Sequence, residues 1–343
     1  MGFLVNSKKA LIILASLIFL TSDTFANDFK PIIVIHGGTS GLGLTKEEFT
    51  KREKVMKESL KTGQNILEKG GSSVDAVIAA IKVMEDSPEF NAGKGAVFTS
   101  DGFNELDASL MDGKSLNAGA IAMARTIKNP IEAARVVMDK TPHTLIAGEG
   151  ADRLAKNSSL EIVDQKYFYT DHRYKQFQEA KKSKEVLLDS DKAKAHLGIN
   201  TEPYLGTVGA IALDKNGNLA AGTSTGGTTN KMTGRIGDSP IIGAGNYANN
   251  DSVAVSCTGT GDIYIRAVAA HEVASLYKYK KLPIEKAAQE TIKEVAALGG
   301  TGGIISIDKN GNVGYAWTKD KLGMYHGEAR IGEEPKVFWP LAK

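Results

Sequence analysis

Cysteine is almost missing. Cys257 is the only one in 343 residues, so no internal disulfide staples the chain, and no Cys/His cluster has zinc-site spacing. Charge of one sign is missing too: 42 basic and 40 acidic residues leave a formal net charge of +2, with no long run of either sign. A polyanion-binding surface is not indicated, and nucleic acid is not an expected partner. No apolar run approaches the roughly 20 residues that a membrane-spanning helix needs. What remains is 42% hydrophobic and 24% charged, an ordinary globular balance that excludes disorder, collagen and coiled coil. The length suits one large or two modest domains.

Residues 1–26 stand apart. Lys8 and Lys9, the apolar run Ala10–Leu20 and Thr24-Phe25-Ala26 supply the basic start, short apolar core and small-residue cleavage site of a secretory signal peptide. Cleavage after Ala26 leaves 317 residues, secreted or periplasmic and without a membrane attachment.

Along the mature chain, Pro31–His36 reads as a buried strand stopped by Gly37-Gly38. Apolar positions three and four apart predict helices over 46–69 and 73–86. A hairpin is expected over Val97–Met111 around Ser100-Asp101-Gly102, then a strand over Ala118–Ala124 and helices near 130–139 and 145–156. From Asp171 to Lys194, 12 of 24 residues are charged. This stretch is expected as a solvated helix or mobile segment that separates two halves. The second half holds a repeat. Val208–Asp214 and Gly303–Asp308 both run into the pentapeptide Asp-Lys-Asn-Gly-Asn and return as strands, and Asn-Gly is the strongest short hairpin signal. Helices over 261–278 and 284–297 lie between them. The order implies an α+β fold, with stacked antiparallel sheets and helices outside.

Several motifs tempt and fail. Gly259-Thr260-Gly261 has Tyr264 where a dinucleotide fingerprint needs its third glycine, and His271-Glu272 has Ser275 where a zincin needs a second histidine. Gly222-Thr223-Ser224-Thr225-Gly226 is a full G-x-S-x-G, which in an α/β-hydrolase would raise Ser224 on a nucleophile elbow, with Asp238 and His271 or His326 completing a triad. A strand precedes it, but a loop rather than a helix follows.

Between Gly206 and Gly261 lie 12 glycines in 56 residues, interleaved with threonines. Glycine at that density lets backbone approach something closely, and threonine supplies hydroxyls on stiff side chains. Here the chain resembles the plant-type asparaginase and isoaspartyl peptidase family of N-terminal-nucleophile hydrolases. The resemblance is carried by His36-Gly37-Gly38, Asn91-Ala92-Gly93, Leu106-Asp107-Ala108, Gly206-Thr207-Val208-Gly209-Ala210 and Thr223-Ser224-Thr225-Gly226-Gly227. It continues through Arg235-Ile236-Gly237-Asp238-Ser239-Pro240, Gly243-Ala244-Gly245 and Thr258-Gly259-Thr260-Gly261, and so covers nearly all of the mature chain. Thr39-Ser40 and Asn246 depart from the family's usual small residues.

The resemblance implies a four-layer αββα sandwich, built as one domain from two subunits. A precursor cuts itself between Gly206 and Thr207, leaving an alpha subunit of 27–206, with a charged mobile tail from about 157, and a beta subunit of 207–343. The chemistry is coherent. A threonine hydroxyl is a poor nucleophile unless a base sits beside it, and the freed α-amine, with an unperturbed pKa of roughly 7.7 to 8.0, is such a base. By the same resemblance Thr225 orients Thr207, while Thr258 and the Gly259 N–H form the oxyanion hole. Arg235 and Asp238 grip the substrate's α-carboxylate and α-ammonium, within a binding set that also includes Ile236, Gly237, Thr260 and Gly261. The plainer alternatives are a mutual salt bridge for Arg235 and Asp238, and for Thr258 and Gly259 a helix cap, a role that can coexist with the oxyanion hole. Asn91 has a supporting place. No catalytic cofactor is implied, but the loop 85–91 matches one that wraps a monovalent cation, such as sodium, through backbone carbonyls. The expected activity is hydrolysis of L-asparagine and of isoaspartyl dipeptides, by a dimer of heterodimers. Glycosylasparaginase is the neighbouring enzyme alternative, and a periplasmic solute-binding protein with one uncut chain is the non-enzymatic one.

Overall fold

Alternation along the strands decides the architecture. In the computed structural model, which describes residues 29–40, 46–183, 206–318 and 323–339 besides Gly2, the strands form two sheets. Twelve strands are seen: β1 (Ile32–Ser40), β2 (Leu106–Asp112), β3 (Ala118–Ala124), β4 (Leu145–Ala147), β5 (Val208–Leu213), β6 (Leu219–Thr225), β7 (Asn246–Ala248), β8 (Val253–Gly259), β9 (Gly302–Asp308), β10 (Val313–Trp317), β11 (Gly323–Arg330) and β12 (Lys336–Phe338). The larger sheet runs β12-β11-β1-β5-β6-β2-β3-β4 and the smaller β10-β9-β8-β7. All pairings are antiparallel except β3 with β4.

Because successive side chains point to opposite faces, each strand is apolar twice over. Ile33, Ile35, Val208, Ala210 and Ala212 face α1 (Lys46–Glu68), α2 (Ser73–Glu85) and α3 (Pro130–Lys140). Their neighbours Ile32, Val34, Ile211 and Leu213 meet Ala254, Ile305 and Ile307 of the smaller sheet. That sheet's far face, with Val253, Val255 and Ile304, is covered by helices over Gly261–Ala267 (α6), Ala269–Lys280 (α7) and Ile284–Ala297 (α8). Helix, sheet, sheet, helix is the expected four-layer α+β sandwich. The helix starts have local causes: the Ser72 hydroxyl accepts from Asp75 N–H at 3.1 Å ahead of α2, and Pro130 stands at the start of α3.

Both repeated pentapeptides turn as expected, and in the same way. The carboxylates of Asp214 and Asp308 each accept from the backbone N–H two and four residues on, at 2.9 to 3.0 Å. Other expectations need correction. The hairpin over 97–111 is only a bridge between Phe98 and Asn104; residues 106–111 belong to β2, whose hairpin partner is β3. The helix over 145–156 is instead β4 followed by α4 (Glu149–Asn157), because Gly148, at φ +58°, turns the chain between them. The helix over 261–278 is broken at Val268, which is left-handed at φ +47°.

The two halves are not separate domains, since β1 pairs with both β5 and β11. The signal segment and residues 184–205 of the expected tail lie outside the described residues. The part of that tail that is described is packed. Helix α5 (Asp171–Ser183) buries Arg173, Gln176, Phe177 and Ala180, and Phe98 meets Phe177 and Tyr174. Among the described residues, no helix is long and apolar enough to cross a membrane.

Candidate functional site

Three threonines come together where β5 begins and β6 and β8 end, all pointing between the sheets. Pairing of β5 with β6 sets Val208 opposite Ser224, so Thr207 falls opposite Thr225. The two hydroxyls are 2.9 Å apart, and Thr225 Oγ1 also accepts from Gly227 N–H at 3.0 Å. Thr258 enters the same pocket from β8 in the smaller sheet. It is a strand residue. The cap position of α6 is Thr260, whose hydroxyl accepts from Thr301 N–H at 3.1 Å, so the helix-cap alternative for Thr258 is set aside. Gly259 lies at φ +145°, and a Cβ there would come within 2.2 Å of the Thr301 carbonyl, so only glycine fits.

The pocket brings together Asn91, Gly206, Thr207, Thr225, Arg235, Gly237, Asp238, Thr258, Gly259 and Gly261. Ile236 and Thr260 do not line it. Thr39, Gly227, Thr228 and Ser239 do, and sequence reasoning had assigned them no role, although Thr39 was visible as a departure from the family's pattern. Asn246, the other departure, lies deeper and donates to Ser109 Oγ at 3.0 Å.

Asn91 ties the backbone at Gly206 to the pocket. Its backbone N–H donates to the Gly206 carbonyl at 3.2 Å, its carbonyl accepts from Gly226 N–H at 3.0 Å, and its amide donates to the Gly227 carbonyl at 2.7 Å.

Arg235 and Asp238 are not paired with each other. Arg235 Nη2 donates to Asp262 Oδ2 at 2.5 Å at the rim. Asp238 is buried, with Oδ2 left without a partner. Burial pushes its carboxyl up to about 7, against the pull of the neighbouring Arg235. An unpartnered buried carboxylate beside a guanidinium suits a ligand that carries an ammonium and a carboxylate on one carbon. Behind Arg235 lies a charged layer that local pattern did not flag. Lys231, fully buried, donates to the Glu105 carbonyl at 3.1 Å, and Glu105 holds Arg125 at 2.7 Å. Burial lowers the Lys231 ammonium and raises the Asp107 carboxyl.

Ser224 is excluded as a nucleophile. One residue out of phase with Thr223 and Thr225, it faces the helices, fully buried, and donates to Glu85 Oε1 at 2.6 Å. Its supposed histidines are elsewhere: His271 is exposed beside Ser275, and His326 is packed among Tyr315, Trp317 and Phe338.

Comparison with known proteins agrees with this geometry. Residues 29–337 match the family described as asparaginase. The isoaspartyl peptidase of Escherichia coli (strain K12) is 44% identical over 310 residues, covering 89% of this chain and 95% of that protein. The isoaspartyl peptidase/L-asparaginase of Bos taurus is 40% identical over 294 residues, covering 85% and 92%. That of Mus musculus is 41% identical over 297 residues, covering 86% and 87%. The chain belongs to the asparaginase family of isoaspartyl peptidases and L-asparaginases.

Proposed function

We propose that this protein is a threonine amidohydrolase that matures by cutting itself and then hydrolyses L-asparagine and β-aspartyl (isoaspartyl) dipeptides. The observation that carries this reading is the Thr207 hydroxyl beside that of Thr225, in one pocket with Arg235 and Asp238.

In maturation, Thr207 Oγ1 attacks the Gly206 carbonyl carbon. A C–O bond forms as the C–N bond breaks, with the hydroxyl proton passing to the nitrogen to free the Thr207 amine, and water then cleaves the ester to leave the Gly206 carboxylate and the restored Thr207 hydroxyl. Negative charge develops on the Gly206 oxygen, which the Asn91 N–H already reaches. The two products stay together, because β1 of the first is paired with β5 and β11 of the second.

In turnover, the α-amine takes the hydroxyl proton as Thr207 Oγ1 attacks the substrate's side-chain carbonyl. Thr258 and the Gly259 N–H receive the oxyanion, and the proton passes to the leaving group. That group is ammonia from asparagine or the second residue's amine from a dipeptide, and water releases aspartate. An isoaspartyl link is a substituted asparagine amide, so one site serves both. Arg235 holds the α-carboxylate and Asp238 the α-ammonium.

The family resemblance supports a monovalent cation in the loop 85–91, and the close approach of backbone there agrees with it. The carbonyls of Pro88 and Phe90 crowd onto Gly95 and that of Glu85 onto Gly93, where a Cβ would lie 2.1 to 2.7 Å from these oxygens. Backbone carbonyls suit such an ion, which would hold Asn91's loop in shape. Residues 1–26 support export, and the family resemblance supports a pair of alpha–beta heterodimers.

The test is N-terminal sequencing of the purified protein together with ammonia release from asparagine. Two chains are expected, the smaller starting Thr-Val-Gly-Ala-Ile. Thr207→Ala should stay whole and inactive, while Ser224→Ala should still split. An uncut, fully active chain would overturn the mechanism. Turnover of glycosylated asparagine alone would point to the glycosylasparaginase alternative.

A further inference from the structure

Between the sheets, behind the pocket, runs a chain of buried polar groups that none of these roles uses. His36 Nδ1 is 3.1 Å from the Thr207 carbonyl oxygen, and its Nε2 is 2.9 Å from Ser256 Oγ. Ser256 Oγ is 2.7 Å from Thr223 Oγ1, which lies 3.0 Å from the Gly245 carbonyl. His36, Thr223 and Ser256 are fully buried.

The hydrogens have one consistent arrangement. A carbonyl only accepts, so His36 Nδ1 carries a hydrogen and donates to Thr207. Burial holds the imidazole pKa down at about 3, so the ring is neutral and Nε2 is bare. Nε2 accepts from the Ser256 hydroxyl, and Ser256 in turn accepts from Thr223, whose single hydrogen is shared with the Gly245 carbonyl. Room for the chain comes from Gly209. A Cβ there would lie 2.0 Å from Ser256 Oγ and 2.3 Å from His36 Nε2.

Placement gives the chain its meaning. Thr223 is two residues before Thr225 on β6, and Ser256 is two residues before Thr258 on β8, so each shares a face with its threonine. His36 holds the backbone of Thr207 itself. An apolar cluster including Ile32, Val34, Ile211 and Met324 fills much of the same layer, and apolar side chains could fill the space of these three groups without burying them. We propose that His36, Ser256 and Thr223 are positioning residues for amide hydrolysis, a hydrogen-bonded tie that holds the strands of Thr207, Thr225 and Thr258 in catalytic register across the two sheets. The proposal rests on reading Thr207 as the nucleophile.

The experiment compares Thr223→Val, Thr223→Ser, Ser256→Ala and the double variant Thr223→Val/Ser256→Ala as full-length proteins, with kcat and KM for asparagine counted per folded, cut molecule. Thr223→Val keeps the shape and removes the hydroxyl, while Thr223→Ser keeps the hydroxyl. A misplacement on the ångström scale predicts that Thr223→Val and Ser256→Ala each lower kcat about 10- to 100-fold. KM should stay within about threefold, since the binding groups are untouched. Thr223→Ser should turn over within about threefold of the parent, and the double variant should be no slower than the slower single, because one broken tie is already broken. Full kcat in either hydroxyl-deleted variant, equal loss in Thr223→Ser, or a change confined to KM would overturn the proposal. Should Thr223→Val fail to fold, Ser256→Ala, which removes one oxygen, decides alone. Thr207→Ala run alongside keeps the two ideas apart: activity there sinks the nucleophile reading, whereas activity surviving only in the hydroxyl deletions sinks the tie.

Discussion

Asp238 makes a quantitative demand on the pH dependence of the enzyme. Its carboxyl is moved from 3.8 to about 7 by burial, so ionising it in the empty pocket costs about 4 kcal/mol more than in water. If Asp238 receives the substrate α-ammonium as proposed, that charge offsets the cost and holds the carboxylate ionised, and binding below pH 7 expels a proton. For the free enzyme, log kcat/KM should rise with a slope of about one as pH increases towards about 7, then lose this contribution. On the proposed self-cleavage, the freed Thr207 amine would add a second ionisation near roughly 7.7 to 8.0, and that one would also shape kcat, where substrate is already bound. Asp238→Asn separates the two. It removes the carboxylate and leaves the substrate ammonium unpaired in a closed site, which costs on the order of 2 to 5 kcal/mol and lowers kcat/KM by tens- to thousands-fold. It should also abolish the limb ending near 7 while sparing the amine's. Maturation handles no free amino acid, so the variant should still give two chains. The assay is ammonia release from pH 5 to pH 9, with a gel for the cut. An unchanged KM, or the same acidic limb in Asp238→Asn, would refute the assignment.

Two further outcomes concern stability. In the cation-free protein, burial raises Glu85 from 4.5 to about 8, so between those values the unfolded chain has lost a proton that the folded protein keeps; stability falls with pH there by up to about 1.4 kcal/mol per pH unit. Glu85→Gln should lack this falling component in denaturant titrations at pH 5, 6, 7 and 8, and parallel pH dependences would refute it. Arg173 is fully buried and donates from Nε to the Gly95 carbonyl at 2.8 Å, so Arg173→Met, which keeps the stem but strands that carbonyl, should cost about 1 to 3 kcal/mol in the same titration.

What could be read before folding was what neighbours in the chain decide. Asp-Lys-Asn-Gly-Asn turns the same way twice because Asp214 and Asp308 each bond, through Oδ1, to the backbone of their own turns. The helix break at Val268 could not be read, since a β-branched residue at φ +47° is held there by tertiary contacts and not by local preference. Nor could the partner of Arg235 be read: Asp238, three residues away, was the natural candidate, but the fold brings Asp262 to it instead. Glu105, Asp107 and Lys231 were hidden for the same reason, each ordinary alone and unusual only when buried together. One local rule reaches further than its use in reading motifs suggests. On a strand, neighbours face opposite ways, so Thr223 and Thr225 cannot share a surface with Ser224. Once Thr207 opposes Thr225 between the sheets, the serine of the G-x-S-x-G must point into the helices, where Glu85 receives it. The same parity carries Ser256 to the side of Thr258. The proposed catalytic layer and the proposed tie behind it are thus a single consequence of strand register, and a one-residue slip of β6 would exchange Thr223 and Thr225 for Ser224 and dismantle both.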